Sequence, residues 1–418
     1  LNEAFRGAVF MLKALTVSAC LLAPAAAQAF TQCTATPLTG PQGEIAEEGS
    51  NPVAVNNYVY GGYIDGNKVA AVVSSDSGKT LAAPVILDTA NSPHYLRLAA
   101  SGANVYATWR ARKNGDWHIF FDASRAHGAA GSWDKPKDLG PLSTNLTQIA
   151  ASGSAVYVAY LGTDGNVAVL ASADAGKTFA RPVAAGAGWG EIVLTAQANH
   201  IYVAWEKKVD AGRHEVMLAV SADAGATFIT TDMSSARASG SVEPIFALDT
   251  ESGRVSIVWR DQDSSSTGYF TRSTDGGQTW STPLAVDNAS RQFMAADDGD
   301  TIYVSYLKQF TIDGVPDWQV QVATSTDGGL SFPTKQNLTG MTGISKIVND
   351  DFRPIPWVRG ERAYRLTGVE ADGVHMWNGN NGRLSSAAFL GPGYMAAPAL
   401  NSAVWLNANG VVSYGVCK

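Results

Sequence analysis

Charged residues recur at one kind of place in this sequence, directly after short runs of β-branched and aromatic residues. Arg110 follows VYATW (105–109), Glu206 follows IYVAW (201–205), and Arg260 with Asp261 follows VSIVW (255–259). Two more runs, VYVAY (156–160) and IYVSY (302–306), end in Tyr160 and Tyr306. Glu243, Arg291 and Arg353 open the segments that lead into later runs. Guanidinium groups hold a carboxylate in a bidentate fork, and a carboxyl group can transfer a proton. These are the candidates for binding or acid–base chemistry.

Other chemistry finds little purchase. The six histidines show no HExxH or related ligand spacing. Asp261-x-Asp263 and Asp297-Asp298-x-Asp300 lack a complete calcium loop and read as solvated turns. SGKT and AGKT resemble the end of a phosphate loop, but the glycine required five positions earlier is Val73 or Ala171. No metal and no cofactor are implied. The net charge of −7 comes without a Lys/Arg run, which argues against a nucleic-acid partner.

The elements that must position these residues are repeats. SSDSGKTL (74–81), SADAGKTF (172–179), SADAGATF (221–228), STDGGQTW (273–280) and STDGGLSF (325–332) share the pattern Ser-x-Asp-x-Gly-x-Thr/Ser. Asp76, Asp174, Asp223, Asp275 and Asp327 are spaced by 98, 49, 52 and 52 residues. The first gap is two periods, and SRAHGAAGSW (124–133) stands in it as an eroded copy; WNGNNGRLS (377–385) reads as a second. Around each copy lie short apolar runs bounded by Gly, Asp and Ser, the signature of strands, with no helical periodicity. Four strands in about 49 residues make one propeller blade.

The repeated motif resembles the Asp box (BNR repeat) of the sialidase-like β-propellers, and the five copies span most of the chain. The resemblance implies an all-β propeller of four-stranded antiparallel blades. Its boxes cap the hairpin between a blade's third and fourth strands, so the five aspartates are structural. Strand counting gives seven complete units from Pro52 to about Gly391 and a last one, 396–418, short of one strand. TATPLTG (34–40) supplies that strand, so eight blades closed by a blade split between the chain ends are preferred, with seven as the alternative. The resemblance places the functional face at the starts of first strands and just after second strands. Arg353, Arg260, Arg110, Glu243, Arg291, Glu206 and Asp261 are therefore the ligand-binding candidates, with 308–318, ending in Asp317-Trp318, as a loop that walls a pocket. Phe352-Arg353-Pro354-Ile355-Pro356 resembles the family's Phe/Tyr-Arg-Ile-Pro motif with an extra proline, and follows rather than precedes the boxes. The other sialidase residues have no motif match. A non-catalytic ligand-binding propeller, for a glycan or a partner protein, is the preferred reading; an exo-sialidase-like glycoside hydrolase is the alternative.

The chain ends carry the remaining signals. Lys13, the apolar Ala14–Ala26 stretch and Ala27-Gln28-Ala29 read as a bacterial-type signal peptide over 1–29, with the residues before Met11 an over-extended start. Residues 30–418 then form a single secreted or periplasmic domain, expected to be monomeric and without a transmembrane segment. Cys20 after Val-Ser-Ala leaves lipidation as a minor alternative. Cys33 and Cys417 remain, a natural disulfide in an oxidising compartment that would join the two ends.

Overall fold

The computed structural model describes residues 33–417 apart from 40–42, 46–52, 144–146, 211, 235–239, 250–252, 263–264, 289, 299, 313–314, 340–354, 360–362, 371–372, 381–382, 392–394, 400–401 and 407–411. The signal-peptide segment and Arg353 lie outside the described residues. The described chain is all-β. Its strands fall into sheets over 43–89, 94–141, 147–187, 192–232, 241–287, 290–337 and 355–391, and one that joins 395–417 to Cys33–Pro37. Seven sheets have four consecutive antiparallel strands, the first strand of the 43–89 sheet being split into Gly43–Ile45 and Val53–Val55, and the eighth joins three strands of 395–417 to Cys33–Pro37. Among the described residues no helix is long and apolar enough to cross a membrane.

Successive sheets touch through their first strands, His94–Ser101 beside Thr147–Ser152, Thr147–Ser152 beside Ile192–Gln197, and onward to Met395–Ala399. This is the arrangement of propeller blades around an axis. The second strands are covered on both faces, which is why they read as unbroken apolar runs rather than alternating ones. Ala155–Leu161 is buried from Val156 to Leu161, whereas the outer strand Val183–Ala187 alternates. Trp109, Trp205 and Trp259 end three of these runs and are fully buried. The core consists of clusters between neighbouring sheets: Tyr157, Val169, Ile201, Val203 and Trp205 form one, and Tyr63, Val72, Val412 and Tyr414 form another between the 43–89 sheet and the sheet of the chain ends.

The repeated turns have a physical cause. Asp174 accepts bonds from the Thr178 amide (2.9 Å), the Thr178 hydroxyl (2.7 Å) and the Ser172 hydroxyl (2.8 Å), while Ser172 Oγ accepts from the Gly176 amide (3.0 Å). Asp76, Asp223, Asp275 and Asp327 repeat the scheme. These bonds favour the ionised carboxylate and pull Asp76, Asp223, Asp275 and Asp327 down to about 2. Gly176 adopts φ +76, and a Cβ there would stand 2.4 Å from the Phe121 ring of the preceding sheet. Each turn is thus also a docking point for its neighbour. The copy at 124–133 keeps the bond from the Gly128 amide to Ser124 Oγ (3.0 Å) without the aspartate. The second eroded copy expected at 377–385 falls, like the boxes, between the third and fourth strands of its sheet, Gly373–Asn380 and Arg383–Gly391, with 381–382 outside the described residues.

Candidate functional site

Antiparallel pairing puts the turns at one end of every sheet; the starts of first strands and the ends of second strands lie at the other. At that other end, three first strands open with the same irregularity. The register slips between His94 and Arg97, between Val242 and Ile245, and between Arg291 and Met294. Tyr95 (φ +54), Glu243 (φ +59) and Gln292 (φ +60) sit there in the left-handed region. A bulge of this kind re-aims a side chain, and a non-glycine residue at positive φ costs about 1 kcal/mol or more. The backbone is bent to the same end in three sheets.

Glu206 and Glu243 meet across two sheets. The Glu243 amide donates to Glu206 Oε1 at 2.9 Å, and His214 Nδ1 stands 3.4 Å from Glu206 Oε2. The Glu243 carboxylate accepts from Arg260 Nη2 at 2.9 Å and from the Gln292 amide at 3.4 Å, which carries the chain of contacts into a third sheet. The His214 amide donates to Gln262 Oε1 at 3.1 Å. Beside this chain Trp189 is 51% exposed, with Lys208 Nζ 4.3 Å from its ring centre and the His214 ring at 6.2 Å. Gly190 follows because a Cβ there would stand against Glu206 Oε2. The result is a half-exposed indole with the Lys208 ammonium over its ring, next to the His214 imidazole and the Glu206 carboxylate.

The remaining candidates separate. Arg110 occupies the same strand position as Arg260 but lies between the rings of Tyr95 (4.3 Å) and Trp117 (4.1 Å), and Arg112 also stacks on Trp117 at 4.1 Å. Arg291 stacks on Trp318 at 4.0 Å. The loop expected at 308–318 is instead an extended hairpin, Thr301–Ile312 paired with Val315–Ser325. Asp261, expected to face a ligand, is 2% exposed and accepts from Ser241 Oγ at 2.7 Å, so it clasps the strand pair. Tyr160 and Tyr306 are core residues; the Tyr306 hydroxyl donates to Asp287 at 2.7 Å, and burial pushes its pKa far up. The Asp297 side chain, expected in a solvated turn, is enclosed and stands 3.7 Å from Arg254 Nη1.

Tyr95, Trp117, Trp189, His214 and Gln292 were not singled out in the sequence. Trp189 alone carried a signal, an indole between two glycines outside any apolar run. The others depend on bulges and cross-strand pairing that local patterns do not encode. Among the described residues no three His, Cys, Asp or Glu side chains gather as a metal site.

No family profile matches the chain, and no curated protein matches it by sequence. Solved structures do. A Hadza microbial sialidase shares 14% identity at a TM-score of 0.39 over 62% of each chain, so the match spans about three fifths of that protein. A polysaccharide lyase described as an ulvan lyase shares 10% identity at a TM-score of 0.47, covering 90% of this chain and 95% of that one. The phage phi92 endosialidase shares 11% identity at a TM-score of 0.44, covering 90% and 86%. These likenesses concern the fold alone.

Proposed function

We propose that this chain is an exported Asp-box propeller that binds a glycan at the rim of its channel, over the sheets of 192–337. The carrying observation is the half-exposed Trp189 beside the Glu206–His214 and Glu243–Arg260 contacts. An exposed indole supplies an apolar platform, and converging polar groups fix orientation, the composition of a ligand site. In this reading the propeller has eight blades, the one shared by the chain ends closing the ring. The Tyr414 hydroxyl donates to the Gly78 carbonyl at 2.8 Å, which supports that closure. The strand register sets Cys33 opposite Cys417, supporting a disulfide in an oxidising compartment.

Exo-sialidase-like hydrolysis is the second reading, favoured by Arg110, Arg260 and Arg291 standing at one end of their sheets. Against it, Arg260 is engaged by Glu243 and Arg110 by two aromatic rings. Screening purified protein on a glycan array, with turnover of a fluorogenic sialoside measured in parallel, separates the two. Glycan binding without turnover is expected; sialoside turnover would favour the hydrolase, and neither binding nor turnover would remove both.

A further inference from the structure

At the turn end of the sheets, the repeated turns lean on the preceding sheet, and in four seams a charged or imidazole side chain plugs the contact. Between the 43–89 and 94–141 sheets, His127 stacks on Tyr58 (3.8 Å) and meets the Tyr60 hydroxyl at 2.9 Å. In the next seam Arg125 donates to the Ala175 carbonyl and Lys137 to the Gly176 carbonyl, both at 2.8 Å. His200 lies under Gly276, where a Cβ would stand 2.9 Å from its Nε2. Arg272 and Arg254 lie under Gly328, at 2.6 and 3.5 Å from the same construction. Histidine, lysine or arginine side chains fill four seams.

Among the described residues, the seam between the 147–187 and 192–232 sheets holds no histidine, lysine or arginine, and its one nitrogen-bearing side chain is the neutral Asn199. Ala155 opens its second strand where His200 and Arg254 open theirs, and Ala173 follows Ser172 where Arg125 follows Ser124. What remains is a cleft of about 760 Å³ whose walls include Ala155, Tyr157, Ala171, Ala173, Phe179 and Ala224. That volume is in the range of small-molecule sites. Tyr157 is 1% exposed and its hydroxyl has no partner. Ala224 (φ +57) takes the place of Ala175 (φ +58), yet no side chain donates to its carbonyl as Arg125 does to that of Ala175. The neighbouring turns carry Asp174 and Asp223, which lie outside the cleft's walls and are bonded within their own turns; both are held ionised by their threonine bonds, and the turn's cation, Lys177, is exposed.

The geometry points to a guanidinium-binding pocket in this seam, filled in trans by the group that Arg125 and Arg254 supply in cis elsewhere. A planar cation can donate to the turn carbonyl, lie against an aromatic face and gain from the negative charge of the two neighbouring turns. A neutral ligand offers the donors without the charge. The pocket lies at the end opposite the glycan rim and is independent of it. The guanidinium could come from a free arginine-like molecule or from an arginine of a partner chain.

Titration of the full chain with arginine amide, citrulline amide and acetyl-Gly-Arg-Gly-amide, followed by NMR of the Ala155, Ala173 and Ala224 methyls, tests it. Arginine amide is expected to shift these signals, with citrulline amide, its uncharged isostere, at least about tenfold weaker because it lacks the charge-assisted bonds. Ala173→Arg should abolish the shifts and raise the melting temperature by plugging the seam from within; Ala155→His is the second plug. A peptide that binds tighter than arginine amide identifies a partner chain, and equal binding a small molecule. Absent shifts, citrulline binding as well as arginine, or binding that survives both plugs would overturn the pocket.

Discussion

The backbone amide of Glu243 donates to the carboxylate of Glu206 at 2.9 Å, across the seam between two sheets. That bond exists because Glu243 sits at φ +59 in a bulge. It joins two acidic residues that a simple Coulomb view would keep apart, and Arg260 and His214 offset their charge on either side.

Replacing Glu243 tests how far this chain of contacts holds the rim. Glu243→Ala removes the partner of Arg260 Nη2 and leaves a mostly enclosed guanidinium with one fewer acceptor. The expected loss is about 1–2 kcal/mol in urea unfolding, because a charged group loses its partner while keeping some solvent. Glu243→Gln, which retains an acceptor oxygen, should lose less.

The turn glycines make a paired prediction. Gly176→Ala forces a Cβ to 2.4 Å from the Phe121 ring at φ +76, and should destabilise by about 1–3 kcal/mol. Gly66 has φ +59 and nothing within 4 Å, so Gly66→Ala meets backbone strain alone and should cost about 1 kcal/mol. Thermal unfolding of both variants separates close approach from strain.

Asp122 gives the fold a pH dependence. It is 1% exposed, and burial pushes its carboxyl up to about 7 from an ordinary 3.8, against bonds from the Ala123 amide (2.7 Å) and the Asp134 amide. The folded state then holds a proton that the unfolded state has released between these values, so stability falls as pH rises from about 4 to about 7. Asp122→Asn should flatten this slope and raise the melting temperature at neutral pH, by an amount worth a few kcal/mol at most. Unfolding curves from pH 4 to 8 read both effects.

Much of the architecture could be read from the residues and some of the site could not. Five near-identical turns and the runs from VYATW to IYVSY carry strand number and order, because both strand periodicity and turn chemistry are local. At the rim, Arg260 and Glu243 were legible as charged residues at strand ends, but their mutual bond was not. Asp261 looks alike in sequence and is buried by its Ser241 contact. Trp189 and His214 come together only through the fold.

The opposed register of Cys33 and Cys417 makes a covalent prediction. Non-reducing peptide mapping of exported protein should recover the two cysteines in one linked fragment. Reduction should then lower stability by about 2–4 kcal/mol, as expected for a crosslink closing a long loop. Free thiols at both positions would remove the covalent part of the ring closure.

Isothermal titration of the best array-selected glycan into wild-type protein and Trp189→Ala tests the central claim most directly. Trp189 is half-exposed, so its loss should leave the melting temperature within about a degree while weakening binding at least about tenfold, the scale of one lost aromatic platform. Unchanged affinity in Trp189→Ala would place the ligand elsewhere and contradict the rim as the binding site.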